Sequence, residues 1–444
     1  LYTLLIMFPV LASAQINTDR VMAIGRNALY FEDYVLSIQY FNQVINAKPY
    51  LSDPYFYRGL AKINLDDFQG AESDCSEAIE RNPFVVSAYQ VRGLARIQQN
   101  NFAGAIEDYT KALEFDPENI GVWHNMALCR IRQEDYKGAK NDLDKLIAIS
   151  PRYTKAYLMR GEVDLKQKDT LAAEKDFGKA IEIDRYDADT WASRAILRLQ
   201  QQRYKDAEAD FDHAIRLSTR NSGVYINRAL ARYHQNNLRG AMSDYDIALD
   251  IDPNNFIGHY NRGLLRAQVG DDNRAIQDFN FVIEMEPDNM MAIFNRGLLL
   301  DQTGDYKGAI KDYSTVINEY PNFLLGYQYR AQARRKIGDV KGADADEFKV
   351  LKAQLDKQNG VDPNKQTADN TENNKTRKKS DKNMNNYRKI VVADNEEGEE
   401  KYKSDYRGRV QDKNVNIVPQ PMFVLTYYEK HDDVKRCLLY TSPS

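Results

Sequence analysis

Five histidines, three cysteines and two ladders of opposite charge are the residues of this 444-residue chain whose types could do chemistry. His124, His213, His234, His259 and His431 never fall one helical turn apart, so no two of them make a metal-ligand pair. Cys75, Cys129 and Cys437 are odd in number and widely spaced, which is no disulfide framework. The first two lie in amphipathic stretches, where a free Cys behaves as a small hydrophobe. There is no Gly-rich loop to cradle a phosphate, and no Ser or Cys nucleophile motif with a recognisable partner. The expected catalytic, cofactor-binding and metal-ligating residues are therefore none, and the chain reads as a protein without enzymatic activity.

The charge ladders are regular. Arg58, Arg92, Arg160, Arg194, Arg228, Arg262, Arg296 and Arg330 are each followed sixteen residues later by Asp74, Asp108, Asp176, Asp210, Asp244, Asp278, Asp312 and Asp346. A lone row of cations would suit an acidic ligand. A matched row of carboxylates points instead to Arg–Asp pairs between two helices, fixing their register more than adding stability.

The elements that position these ladders follow from a period. The pentapeptide NRGLL occurs at residues 261–265 and 295–299, 34 residues apart. Stepping by 34 gives Gly25, Gly59, Gly93, Ala127, Gly161, Ala195, Ala229, Gly263, Gly297 and Ala331, all small. Twelve residues further on, the series runs from Ser37 through Ala71 to Ala343, again all small. Two small residues at a fixed offset mean two helices whose backbones cross closely. Rings stand four residues before the first small position, as at Tyr55, Tyr89, Tyr157 and Trp191. They also stand four after the second, as at Phe41, Tyr109, Phe177, Phe211, Tyr245, Phe279 and Tyr313, so both sets are expected in the core. Asp or Asn eight residues after the first small position (Asp33, Asp67, Asn101, Asp135, Asp169, Asn237, Asp271, Asp305 and Asp339) predicts an N-cap, with Arg203 the exception. Pro49, Pro83, Pro117, Pro151, Pro253, Pro287 and Pro321 end seven of the repeats.

This combination of aromatic, small, small, aromatic, Ala and Pro positions resembles the tetratricopeptide repeat family over about residues 18–351. The resemblance implies an all-α fold, an α-solenoid of about ten 34-residue helix–turn–helix repeats in a right-handed superhelix. It also implies that partners lie on the concave side, lined by the first helix of each repeat. There the sequence places Phe56, Leu60, Leu94, Leu128, Leu230, Tyr260, Leu264, Phe294 and Leu298 on helical stripes, which form the expected partner-binding groove for an extended or helical peptide. Members that clamp a C-terminal carboxylate carry Asn directly after the small residue. Here that position is mostly Leu, so that mode is not expected.

The remaining segments differ in composition. Residues 1–14 read as a signal peptide, an apolar run followed by Ala12-Ser13-Ala14, in a chain whose start looks truncated. The repeat array with its capping helix is expected over 15–358, a disordered linker over 359–386 and a strand-rich segment over 387–435 that looks truncated. RKIVVAD and VNIVPQPMFVLTYY are the strand candidates. The closing stretch, 436–444, resembles a translated sequencing adapter and is set aside as non-native. Net charge is −4, with no basic surface that would concentrate nucleic acid, and no apolar run reaches the ~20 residues of a membrane span.

These observations predict an exported scaffold that binds protein or peptide partners, without cofactors. The resemblance to exported repeat proteins of Gram-negative bacteria places it in the periplasm, at an envelope complex. The alternative is the regulatory or sensor region of a larger enzyme or signalling protein whose C-terminal domain is missing. A third reading, glycan binding through Trp123 or Trp191, sets groove rings against core rings. The partner's identity and the oligomeric state stay open.

Overall fold

A computed structural model describes residues 17–217, 220–358, 384 and 386–393. The signal-like stretch, the second strand candidate and the adapter-like end lie outside the described residues, as does most of the expected linker. Among the described residues all regular structure is helical, in two compact units that divide between Val122 and Trp123. The first unit carries α1 (Thr18–Tyr30), α2 (Tyr34–Ala47), α3 (Asp53–Asn64), α4 (Phe68–Arg81), α5 (Val86–Gln98) and α6 (Phe102–Phe115). The division falls within α7 (Ile120–Arg132). The second unit continues with α8 (Tyr136–Ile149), α9 (Thr154–Lys166), α10 (Thr170–Ile183), α11 (Ala188–Gln200), α12 (Tyr204–Arg216) and α13 (Ser222–His234). It ends with α14 (Leu238–Ile251), α15 (Phe256–Gln268), α16 (Asp272–Met285), α17 (Met290–Thr303), α18 (Tyr306–Glu319), α19 (Leu324–Lys336) and α20 (Val340–Gln358). Within each unit the first helix of a repeat packs on its own second helix, and that second helix packs on the next repeat, which is an α-solenoid.

The turn inside each repeat is built from two adjacent residues. The first takes a left-handed backbone, at Glu32, Asp66, Asn100, Glu134, Lys168, Gln202, Asn236, Gly270, Gly304 and Gly338. The second is the N-cap. Asp33, Asp67, Asn101, Asp135, Asp169, Asn237, Asp305 and Asp339 each accept a bond from the amide three residues on, at 2.9–3.1 Å. Asp271 departs from the expected pattern: its side chain makes no cap bond and instead pairs with Arg274 at 2.7 Å. Arg203, the expected exception, likewise gives no side-chain cap.

The two ring series behave differently. Phe41, Tyr109, Phe177, Phe211, Tyr245, Phe279 and Tyr313 are at most 1% exposed and lie under the small residue of the facing helix. A Cβ added at Gly161 would stand 2.5 Å from the ring of Phe177, so the small position is a steric necessity there. The earlier series is not wholly core. Tyr55, Tyr89 and Tyr157 are buried, but Trp191, Tyr225 and Tyr327 are half-exposed. Each carries the guanidinium of the Arg three residues on, as with Arg228 over Tyr225 at 5.5 Å. The buried Tyr55, Tyr89 and Tyr157 carry the same contact, because residues i and i+3 share a helix face.

Every ladder arginine except Arg194, which faces Gly178 at the backward position and bonds Asp210 alone, joins three helices. Arg228 on α13 bonds Asp244 of α14 through Nε and Nη2 at 3.0 and 2.6 Å, and Asp212 of α12 through Nη1 at 2.7 Å. Arg262, Arg296 and Arg330 repeat this with Asp246, Asn280 and Ser314 as the backward partner. In the first unit, Arg58 and Arg92 reach back to Asn42 and Ser76 in the same way. The guanidinium therefore ties a repeat to its predecessor as well as closing its own helix pair, which suits a planar fork of five donors.

Candidate peptide groove

The first helices of the second unit lie side by side: α11 packs on α13, α15 on α17, and α17 on α19. Two residues before the small crossing position, three of them carry Asn227, Asn261 and Asn295. These are 34 residues apart, and each shares a helix face with the Leu three residues on: Leu230, Leu264 and Leu298. The same register holds Ser193 before them and Tyr329 after, so the ladder has three consecutive rungs. All three asparagines are at most 5% exposed, a placement that costs free energy unless the carboxamide is fully bonded.

The bonds come from the chain's own residues 384–393. Asn261 Nδ2 donates to the carbonyl of Val391 at 2.6 Å, and the Val391 amide donates to Asn261 Oδ1 at 2.8 Å. Asn227 holds Ala393 by the same two bonds, at 3.1 and 2.9 Å. The carbonyl of Tyr387 accepts from Asn295 Nδ2 at 2.6 Å and from the Tyr260 hydroxyl at 2.7 Å. A carboxamide that takes both polar groups of one residue imitates a neighbouring β-strand, and alternate residues of an extended chain present those groups to the same side. The segment runs opposite to the repeats, from Asn295 to Asn261 to Asn227. Burial beneath it pushes the Tyr260 hydroxyl well above its ordinary pKa, so Tyr260 stays a donor.

Side chains of the segment enter the apolar clusters of the array. Met384 is buried in the cluster of Ile293, Phe294 and Phe323, and the Tyr387 ring meets Phe294 edge-on at 4.9 Å. Ile390 is buried with Ala192, Ala195, Leu199 and Leu230, with Val392 packed against the same cluster. Ala393 is buried with Ile226, Ala229 and Leu265. Arg388, between these anchors, is exposed and stacks on the Tyr387 ring at 5.3 Å. Of the strand candidate RKIVVAD, Arg388 lies in a turn closed by the Lys389 amide donating to the Asn386 carbonyl at 2.8 Å. Residues 389–393 carry no helix, and side chains rather than a second strand take the backbone bonds of Val391 and Ala393.

The expected groove residues separate. Leu230, Tyr260, Leu264, Phe294 and Leu298 gather around residues 384–393 or the cavity beside them. Phe56 and Leu60 are buried in a core cluster of the first unit, and Leu94 is buried in α5. Leu128 is buried in α7. Leu264 and Leu298 are only half-buried, whereas the other seven are at most 9% exposed. Sequence reasoning passed over the asparagines, although Asn261 and Asn295 are the first letters of the two NRGLL copies. Their signal was a polar residue recurring on an otherwise apolar helix face.

The geometry defines a class: an α-solenoid whose first helices hold an extended main chain. Models of the tetratricopeptide repeat match residues 120–153, 154–187, 193–256 and 260–322, and a TPR repeat model matches 93–129, together half of the chain. The chain belongs to the tetratricopeptide repeat family. Among curated proteins none matches it. Solved structures similar to it include a tetratricopeptide repeat protein from Parabacteroides merdae, 21% identical, covering 56% of this chain and 98% of that one with a TM-score of 0.45. MamA from Desulfovibrio magneticus is 16% identical over 38% of this chain and 96% of its own, with a TM-score of 0.37. YrrB, described as a TPR protein with an unusual peptide-binding site, is 20% identical over 41% of this chain and 95% of its own, with a TM-score of 0.35. Among the described residues no helix is long and apolar enough to cross a membrane.

Proposed function

We propose that the protein is a non-enzymatic interaction scaffold whose groove along α13, α15 and α17 takes up an extended segment of a partner protein. Residues 384–393 are its resident occupant, which a partner displaces. The observation that carries this reading is Asn261, whose carboxamide reads both backbone groups of Val391 and nothing of its side chain. Contacts of that kind hold a main chain in place and leave selection to the pockets between the rungs. The array is folded before the ligand arrives, so little ordering entropy opposes binding on its side. The signal-like stretch at 1–14 supports an exported location, with a partner in the cell envelope.

The test uses the full chain carrying Ile390→Glu and Val391→Pro, which removes an apolar anchor and an amide donor from the internal segment. A labelled peptide of residues 384–393 should then bind saturably. It should lose affinity when Asn261→Leu is added, by roughly tenfold or more for two lost hydrogen bonds. Absence of saturable binding would show that the groove is no peptide site.

A further inference from the structure

Beside the docked segment the groove contains a cavity of about 410 Å³ that the segment leaves unfilled. Leu264, Leu298 and Leu299 line it together with the polar side chains of Gln268, Asn295 and Gln302 and the tail's own Arg388. That volume is within the ~300–1,000 Å³ of pockets that hold small molecules, and ample for one large side chain. The lining includes no Asp or Glu, so the only charged group the tail offers there has no carboxylate to meet. Arg388 instead lies over its neighbour Tyr387 and stays exposed. On either side of this position the tail does place apolar anchors, Tyr387 against Phe294 and Ile390 against Leu230.

We infer that this cavity is a side-chain pocket for an external ligand, an extended segment with a long apolar residue such as Leu, Met or Phe where the tail has Arg388. The tail then satisfies the backbone ladder and the flanking anchors but leaves the specificity pocket empty. A segment with the matching side chain gains apolar burial that the tail lacks, and this gain lets it displace a competitor attached to the same chain. The inference rests on the groove reading above, so its test must fail separately from that reading.

Three peptides of residues 384–393 are titrated into the full chain carrying Ile390→Glu and Val391→Pro: the natural sequence, Arg388→Leu and Arg388→Gln. The Gln peptide removes the charge without filling the pocket. The Leu peptide should bind roughly tenfold tighter than the Gln peptide, as expected for burying most of a Leu side chain. Adding Ala267→Leu to the host, which narrows the cavity from its wall, should abolish that advantage while leaving the natural peptide's affinity within about twofold. Equal affinities for the Leu and Gln peptides would overturn the pocket and leave the groove standing. Failure of all three to bind would overturn the groove reading and the pocket with it.

Discussion

Asn261 and Val391 are paired as two residues on neighbouring strands would be, with the carboxamide donating to the valine carbonyl at 2.6 Å and accepting its amide at 2.8 Å. The side chain of Val391 is exposed and adds little to the contact. Each bond is worth ~1 kcal/mol net, so Asn261→Leu should raise the open population of the tail by about tenfold to thirtyfold. Hydrogen exchange at the Val391 amide measures this directly. An unchanged exchange rate in the variant would mean that the ladder does not hold the tail.

How much of this was legible beforehand differs by residue. The helix pairs were, because Gly297 and Ala309 recur in register with every other repeat, and only a close crossing needs small residues at that offset. The pairing of Arg228 with Asp244 was also legible from a constant separation of sixteen residues. The backward bond to Asp212 was not, since Asn280 and Ser314 serve equally well and no single residue type marks the position. Asn227, Asn261 and Asn295 were missed for another reason. Their partners lie 92 to 166 residues away in a segment with no repeat of its own, so no periodicity connects the two. The same distance explains why RKIVVAD read as a strand: its β-branched residues suit an extended backbone whatever supplies the hydrogen bonds.

The small crossing positions are not equally tight. A Cβ at Gly161 would lie 2.5 Å from Phe177, whereas at Gly263 the nearest atom of Phe279 is 3.2 Å away. Gly161→Ala should therefore destabilise the array by ~1–3 kcal/mol through overpacking. Gly263→Ala should be near neutral, because the gain in helix propensity of up to ~1 kcal/mol offsets a small displacement. Paired urea melts would check this. Equal losses in the two variants would mean that crossing distance does not set the residue.

The left-handed turn residue suggests a stabilising change. Lys168 adopts φ of 65° where the corresponding residues of later repeats are Gly270, Gly304 and Gly338. A Cβ in that region meets the following carbonyl at a cost of ~1–2 kcal/mol, partly offset by the greater freedom glycine loses on folding. Lys168→Gly should therefore stabilise by up to ~1 kcal/mol, and Gly304→Lys should cost a similar amount. Thermal melts of both would show shifts of opposite sign. Shifts of the same sign would place the determinant outside the turn backbone.

The fourth repeat breaks the charge ladder, and its carboxylate carries the consequence. Met126 stands where every repeat but this one and the first, which has Ile24, carries arginine, leaving buried Asp142 with Arg130 alone at 2.7 Å. Burial with a single cation pushes the Asp142 carboxyl up to about 6. Asp278 is equally buried, yet His259, Arg262 and Arg266 outweigh desolvation and hold it below its ordinary value, whereas Asp108 and Asp244, with two arginines each and no histidine, stay raised by burial. The folded protein thus binds a proton at Asp142 more tightly than the unfolded chain does. Its contribution to stability is full below the unfolded pKa of 3.8 and is lost as pH rises through about 6. Met126→Arg supplies the missing cation, lowers the Asp142 pKa and should stabilise the array at pH 7 by ~1–3 kcal/mol, with little gain at pH 4, where the carboxyl is already protonated. Denaturant melts at the two pH values separate the outcomes, because a gain of equal size at both would come from packing of the longer side chain rather than from the charge on Asp142.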